Sequence, residues 1–132
     1  MGRALMTQTD QQVEVDAPVE RAWQLVSTSE GISSWFVDAT VVPGGSGTVT
    51  LRFGPGFEGV MPITAWDPAH RLRFGAPPRD QEGRSHDISV LERTAGSVVV
   101  RLVDTGDDIL DPELNRRTWA GMLARLKELA ES

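Results

Sequence analysis

Two histidines, a cluster of acids and a glycine run are the residues whose chemistry needs placing first. His86 precedes Ile88 and Val90 at alternate positions, so a strand through them carries all three on one face. Facing a cavity, its imidazole would be a polar anchor or a general base, because its charge changes near neutral pH. The plainer expectation is a partly exposed histidine at a strand end. Asp87 is its chain neighbour but belongs to the opposite face, so the two form no dyad. His70 follows Asp67-Pro68-Ala69 in a turn and is expected in solvent. Asp104, Asp107, Asp108 and Asp111 offer the oxygen ligands calcium prefers, but their spacing fits no known loop and helix capping already accounts for Asp111. No metal and no cofactor are expected. Gly44, Gly45 and Gly47 are followed by a strand rather than by Gly-Lys-Ser or Gly-Lys-Thr, so they read as a turn, not a phosphate loop. The chain has no cysteine, no tyrosine and no serine in a G-x-S-x-G setting. An enzyme built here would draw on His86, Glu58, the acidic loop or ordered water, with His86 the one weak catalytic candidate.

Charge narrows the partners. The net charge is −6 and the Arg and Lys residues are scattered, whereas phosphate-backbone binding needs a clustered basic face. Nucleic acid is therefore not expected. Arg116, Arg117, Arg125 and Lys127 lie close together near the C-terminus, where cations on a solvated helix face are ordinary. No apolar run approaches the roughly 20 residues of a membrane span, and no signal peptide is apparent. With no cysteine, a cytoplasmic location is expected.

The elements that must position these residues follow from periodicity. Asp111 to Glu131 carries Trp119, Met122, Leu123, Leu126 and Leu129 as one stripe at a period near 3.6, with Asp111 as cap and Pro112 in the first turn. At 1.5 Å per residue this helix is about 30 Å long, the span of a small domain. Ahead of it, residues 1–10 are expected to be a flexible N-terminus, and residues 11–132 a single domain. Gln11 to Val15 reads as a strand. A helix follows Asp16-Ala17-Pro18, capped by Asp16 or Ala17 and buried through Val19, Ala22, Trp23 and Val26. Ser29 is the expected cap of a short second helix ending at Trp35, with Gly31 limiting its stability. Six strands then follow: Ala39 to Val42, Thr48 to Phe53, Phe57 to Trp66, Arg71 to Phe74, His86 to Glu92 and Val98 to Thr105. Pro62 lacks an N–H, so a bulge or an edge is expected there. Gly75 to Ser85, polar and rich in Pro and Gly, reads as a loop.

The pieces resemble a known family. VEVDAPVERAWQLVSTSEGISSWF is similar to the opening of START-like, helix-grip (SRPBCC) domains. PGGSGTVTLRF, GVMPITAWDPAHRLRF and TWAGMLARLKEL are similar to successive parts of the branch named for the heat-shock protein 90 ATPase activator. The resemblance runs from about Val13 to Glu131, with Thr118 where the branch usually has glycine and Pro62 in a strand usually free of proline. It implies an α+β fold, an antiparallel sheet of about seven strands wrapped around the C-terminal helix. It also implies a cleft between the two, suited to a small apolar molecule. Two alternatives go with it: a polyketide cyclase or dehydratase-like enzyme, and a chaperone partner.

The candidate ligand-binding set is then the inward group Phe53, Met61, Ile63, Phe74, His86, Ile88, Val100, Trp119, Met122 and Leu123. Trp35 and Phe36 stand at the mouth. The competing expectation is that these side chains fill a packed core and leave no usable cavity.

Overall fold

The computed structural model describes residues 7–56, 58–75, 84–106 and 109–132. The chain runs β1 (Thr7–Val15), α1 (Val19–Ser27), α2 (Ser29–Trp35), β2 (Asp38–Val42), β3 (Thr48–Arg52), β4 (Glu58–Asp67), β5 (Arg71–Gly75), β6 (Arg84–Thr94), β7 (Ser97–Gly106) and α3 (Pro112–Glu131). The strands make one antiparallel sheet in the order β1-β7-β6-β5-β4-β3-β2. This is the expected α+β fold in the expected element order. Consecutive strands from β2 to β7 are antiparallel sheet neighbours. Only β1 and β2 occupy opposite edges, and α1 and α2 carry the chain from one edge to the other.

One face of the sheet is apolar on every strand. Val15, Ala39, Val49, Leu51, Ile63, Leu72, Phe74, Ile88, Val90, Val98, Val100 and Leu102 are all buried. α1 adds Ala22, Leu25 and Val26, and α2 adds Ile32 and Trp35. α3 presents Trp119, Leu123, Leu126 and Ala130, the stripe that its period dictates. Its C-terminal half is tied down by charged side chains. Lys127 Nζ donates to the Glu14 carbonyl at 2.9 Å, Arg125 Nε to the Ser34 carbonyl at 3.0 Å, and Arg21 to the Leu129 carbonyl at 2.8 Å. Glu131 accepts from the Asp16 backbone N–H at 2.7 Å and from Lys127 at 2.7 Å. Arg125 and Lys127, expected simply on a solvated face, thus join α3 to α2 and β1.

Several boundaries differ from expectation. β1 begins at Thr7, so residues 7–10 pair with β7 rather than belonging to a loose end. Residues 1–6, Phe57, most of the expected 75–85 loop, and Asp107 and Asp108 lie outside the described residues. Pro18, not Asp16 or Ala17, is the cap of α1, its carbonyl accepting from the N–H groups of Arg21 and Ala22. Thr28, not Ser29, caps α2 by accepting from Gly31 N–H at 2.9 Å. Ser29 Oγ accepts from Val41 N–H instead, at 2.8 Å, joining α2 to β2. Gly31 is needed for packing: a Cβ there would meet the Gln24 carbonyl at 2.2 Å and Leu25 Cα at 2.7 Å.

β4 changes partner along its length, pairing through Glu58 to Pro62 with β3 and through Ile63 to Asp67 with β5. Pro62 lies just beyond the last β4–β5 pair, Ile63 with Phe74, so it stands at a local edge. The register shift falls between Ile63 and Ala65.

Candidate functional site

The site starts from a carboxylate in an apolar row. β7 alternates Val98, Val100, Leu102 and Asp104 on its inward face, and all four are without solvent exposure. A bare carboxylate there would be costly, so its oxygens must be met by donors. Arg84, at the start of β6, makes a two-pronged pair with Asp104, Nε to Oδ1 and Nη2 to Oδ2, both 2.6 Å. Trp119 Nε1 donates to Oδ2 at 2.7 Å, and Asn115 Nδ2 to the same oxygen at 3.1 Å. Asn115 also donates to Thr9 Oγ1 at 2.8 Å. His86, the direct cross-strand neighbour of Asp104, brings Nε2 to 3.6 Å from Oδ1.

Burial alone would raise the pKa of Asp104, and it is the largest single influence. The Arg84 hydrogen bonds, the charge His86 carries whenever it is protonated, the Arg84 charge and the Asn115 hydrogen bond together outweigh it, so the carboxyl lies below its ordinary value. Asp104 therefore works as a fixed anion that orients an arginine, an indole and an amide. It is not poised as an acid.

Aromatic rings surround His86. Phe74 stacks on it with centroids 5.0 Å apart and planes 22° apart, while Phe36 and Trp119 lie at 5.8 and 5.7 Å. Phe36 in turn packs on Trp119 at 4.7 Å and on Trp35 at 5.8 Å. His86 is 4% exposed, so the expectation of a partly exposed strand-end histidine is corrected. Its alternation with Ile88 and Val90 carries it onto the core face, and the ring stack encloses it. His70 is exposed in its turn.

Between α3 and the sheet lies a cavity of about 270 Å³. Phe36, Phe53, Met61, Trp119 and Met122 give it apolar walls, and Arg84, His86, Asn115 and Thr118 give it a polar side. Of the residues singled out from sequence, Phe36, Phe53, Met61, His86, Trp119 and Met122 meet at this cavity. Trp35, Ile63, Phe74, Ile88, Val100 and Leu123 are buried beside or beneath it and do not line it. Trp35 is a clamp, its Nε1 donating to the Leu25 carbonyl at 2.8 Å. Phe53, expected inward within a strand, stands just past the end of β3 and is 60% exposed at the rim.

Sequence reasoning missed Arg84, Asp104, Asn115 and Thr118 as parts of the site. Asp104 had a signal, since it extends the inward alternation of β7. Asn115 had one too, four residues before Trp119 on the same helix stripe. Arg84 fell within the expected loop and had none. Among the described residues, no three His, Cys, Asp or Glu side chains gather as metal ligands, and no helix is long and apolar enough to cross a membrane.

A seven-stranded antiparallel sheet with a long C-terminal helix laid over it, and a cavity between, defines a START-like, helix-grip protein. The chain belongs to the family described as activator of Hsp90 ATPase homolog 1-like protein, which it matches over residues 16–131. No curated protein sequence matches it significantly. Among solved structures it is similar to a protein from Bacillus halodurans, with 22% identity, TM-score 0.78, and 95% of this chain and 97% of that one covered. It is also similar to the Aha1 dimer from Colwellia psychrerythraea, with 18% identity, TM-score 0.72, and 95% and 96% covered. A third likeness is to norcoclaurine synthase from Thalictrum flavum, with 15% identity, TM-score 0.63, and 96% and 87% covered. At these identities the likenesses concern the fold.

Proposed function

We propose that this protein binds a small, largely apolar ligand in the cavity between α3 and the sheet. The observation that carries the proposal is the cavity's composition: three aromatic rings and two thioethers, opposed by a polar side whose Arg84 and Asn115 are held by Asp104. Its volume of about 270 Å³ lies near the lower end of small-molecule pockets, roughly 300–1,000 Å³. A compact ring system suits it better than a long acyl chain. Met61 and Met122 are adaptable walls, since an unbranched thioether conforms to a ring and makes favourable sulfur–aromatic contacts. The norcoclaurine synthase neighbour is described with dopamine and hydroxybenzaldehyde, and such ring-bearing molecules are sensible first probes here.

Calorimetric titration with 1-naphthylamine tests the proposal. The wild-type protein should bind saturably, and Met122→Trp, which fills the cavity from a half-buried helix position, should bind at least about tenfold more weakly while keeping its circular dichroism. A wild-type protein that shows no saturable binding, or a Met122→Trp variant that binds as well, would refute it.

One observation favours a second reading, acid–base chemistry on the bound molecule. His86 lines the cavity with Nε2 3.6 Å from a buried carboxylate, so a titratable imidazole and an anion stand together at the ligand space. Its role would be to take a proton from a carbon next to a ligand carbonyl, as in a cyclase or dehydratase. Deuterium exchange at the α-carbons of 2-tetralone, followed by NMR, should then be faster with wild type than with His86→Gln. Equal rates would remove this reading and leave the binding proposal standing.

A further inference from the structure

We infer that the ligand site continues past the cavity into a second groove over the first turns of α3, so that the ligand is a two-part molecule with a hydrogen-bonding middle. This rests on the binding proposal above and specifies the class of ligand. The second groove, about 320 Å³, is walled by Ile109, Leu110 and Leu114. It shares Arg84, Asn115 and Thr118 with the cavity, so the two spaces meet at the same three polar side chains.

The geometry of α3 sets the two in line. Leu114, Thr118 and Met122 are four residues apart in succession and form a single ridge of the helix. Met122 belongs to the cavity, Leu114 to the groove, and Thr118 to both. Eight residues at 1.5 Å each make that ridge about 12 Å long. Leu110 is 95% exposed and Leu114 53% exposed. A lone leucine on a surface is ordinary, but these two wall a groove that shares its polar side chains with an apolar cavity.

The middle has its own chemistry. Thr118 donates to the Leu114 carbonyl at 2.9 Å, which leaves its oxygen lone pairs to accept. Asn115 gives its amide hydrogens to Thr9 and Asp104, which leaves its carbonyl to accept. Arg84 contributes charge, matched by Asp104. A neutral donor such as an amine, amide or hydroxyl suits this point. Asp111 borders the groove, which disfavours a ligand whose outer end is anionic.

The test uses 1-naphthylamine and N-phenyl-1-naphthylamine, the same ring system without and with a second ring attached through an N–H. The wild-type protein should bind the two-ring probe about tenfold or more tightly than the one-ring probe. Leu114→Ser should erase most of that preference, and Leu114→Met should restore it. Neither change should move the affinity for 1-naphthylamine, and melting curves establish that both variants fold. If Leu114→Ser leaves the preference intact, or if no preference exists, the second groove is not part of the site and the cavity proposal survives. If 1-naphthylamine itself fails to bind the wild-type protein, the cavity proposal falls and this inference with it.

Discussion

Asp104 shows how one residue can hold a site together from behind its walls. Its two oxygens receive an arginine, an indole and an amide, so removing its charge disturbs three cavity walls at once. Asp104→Asn should lower stability by about 3–5 kcal/mol, the usual cost of breaking a buried ion pair and leaving its partner uncompensated. Urea denaturation measures it. The pH dependence has a definite sign. Because the folded pKa of Asp104 is lowered, its contribution is complete above the unfolded value near 3.9 and is lost as pH falls through the lower folded value. Asp104→Asn should therefore flatten the loss of stability below about pH 4 relative to wild type. Trp119 separates packing from hydrogen bonding. Trp119→Ala should cost about 3–5 kcal/mol for a buried large aromatic. Trp119→Phe keeps a ring but removes the donor to Asp104, and should cost about 1–3 kcal/mol. A loss below about 1 kcal/mol for the alanine variant would show that α3 does not dock through this residue.

At the scale of elements, the glycines give the sharpest contrast. Gly31→Ala would press a methyl group into the backbone of α1, so α2 must lift away and its Trp35 clamp with it. The expected result is a clear fall in melting temperature, of the order of 1–3 kcal/mol in stability, as for an overpacked site. Gly121→Ala, on the exposed side of α3 with open space around it, should raise stability by about 0.5–1 kcal/mol through helix propensity alone. The same comparison shows what was legible in the sequence. Alternation and helical period located seven strands and three helices in order, because those periods are imposed by burial. Caps were read less well. Thr28 and Ser29 are both hydroxyl residues, and which of them meets Gly31 N–H depends on β2 drawing Ser29 toward Val41. The partner change in β4 was only half legible, since Pro62 signalled an interruption but not the shift between Ile63 and Ala65.

At the scale of the whole molecule, the face of each strand was legible but its depth was not. Ile63 and Met61 share a face of β4, yet Ile63 is buried in the core and Met61 lines the cavity. Alternation assigns a side chain to a face, whereas the path of α3 across the sheet decides which residues on it are covered. The polar side was also hidden, because its members come from β6 and α3 and only the fold joins them. If the binding proposal holds, the space between α3 and the sheet admits a ligand. The most direct measurement is an NMR titration of methionine methyl groups with 1-naphthylamine. Of the four methionines, Met61 and Met122 line the cavity. Their methyl signals should shift together and saturate, displaced by the ring current of the bound naphthalene. Both signals remaining at their free positions at high probe concentration would mean that the space admits no such ligand.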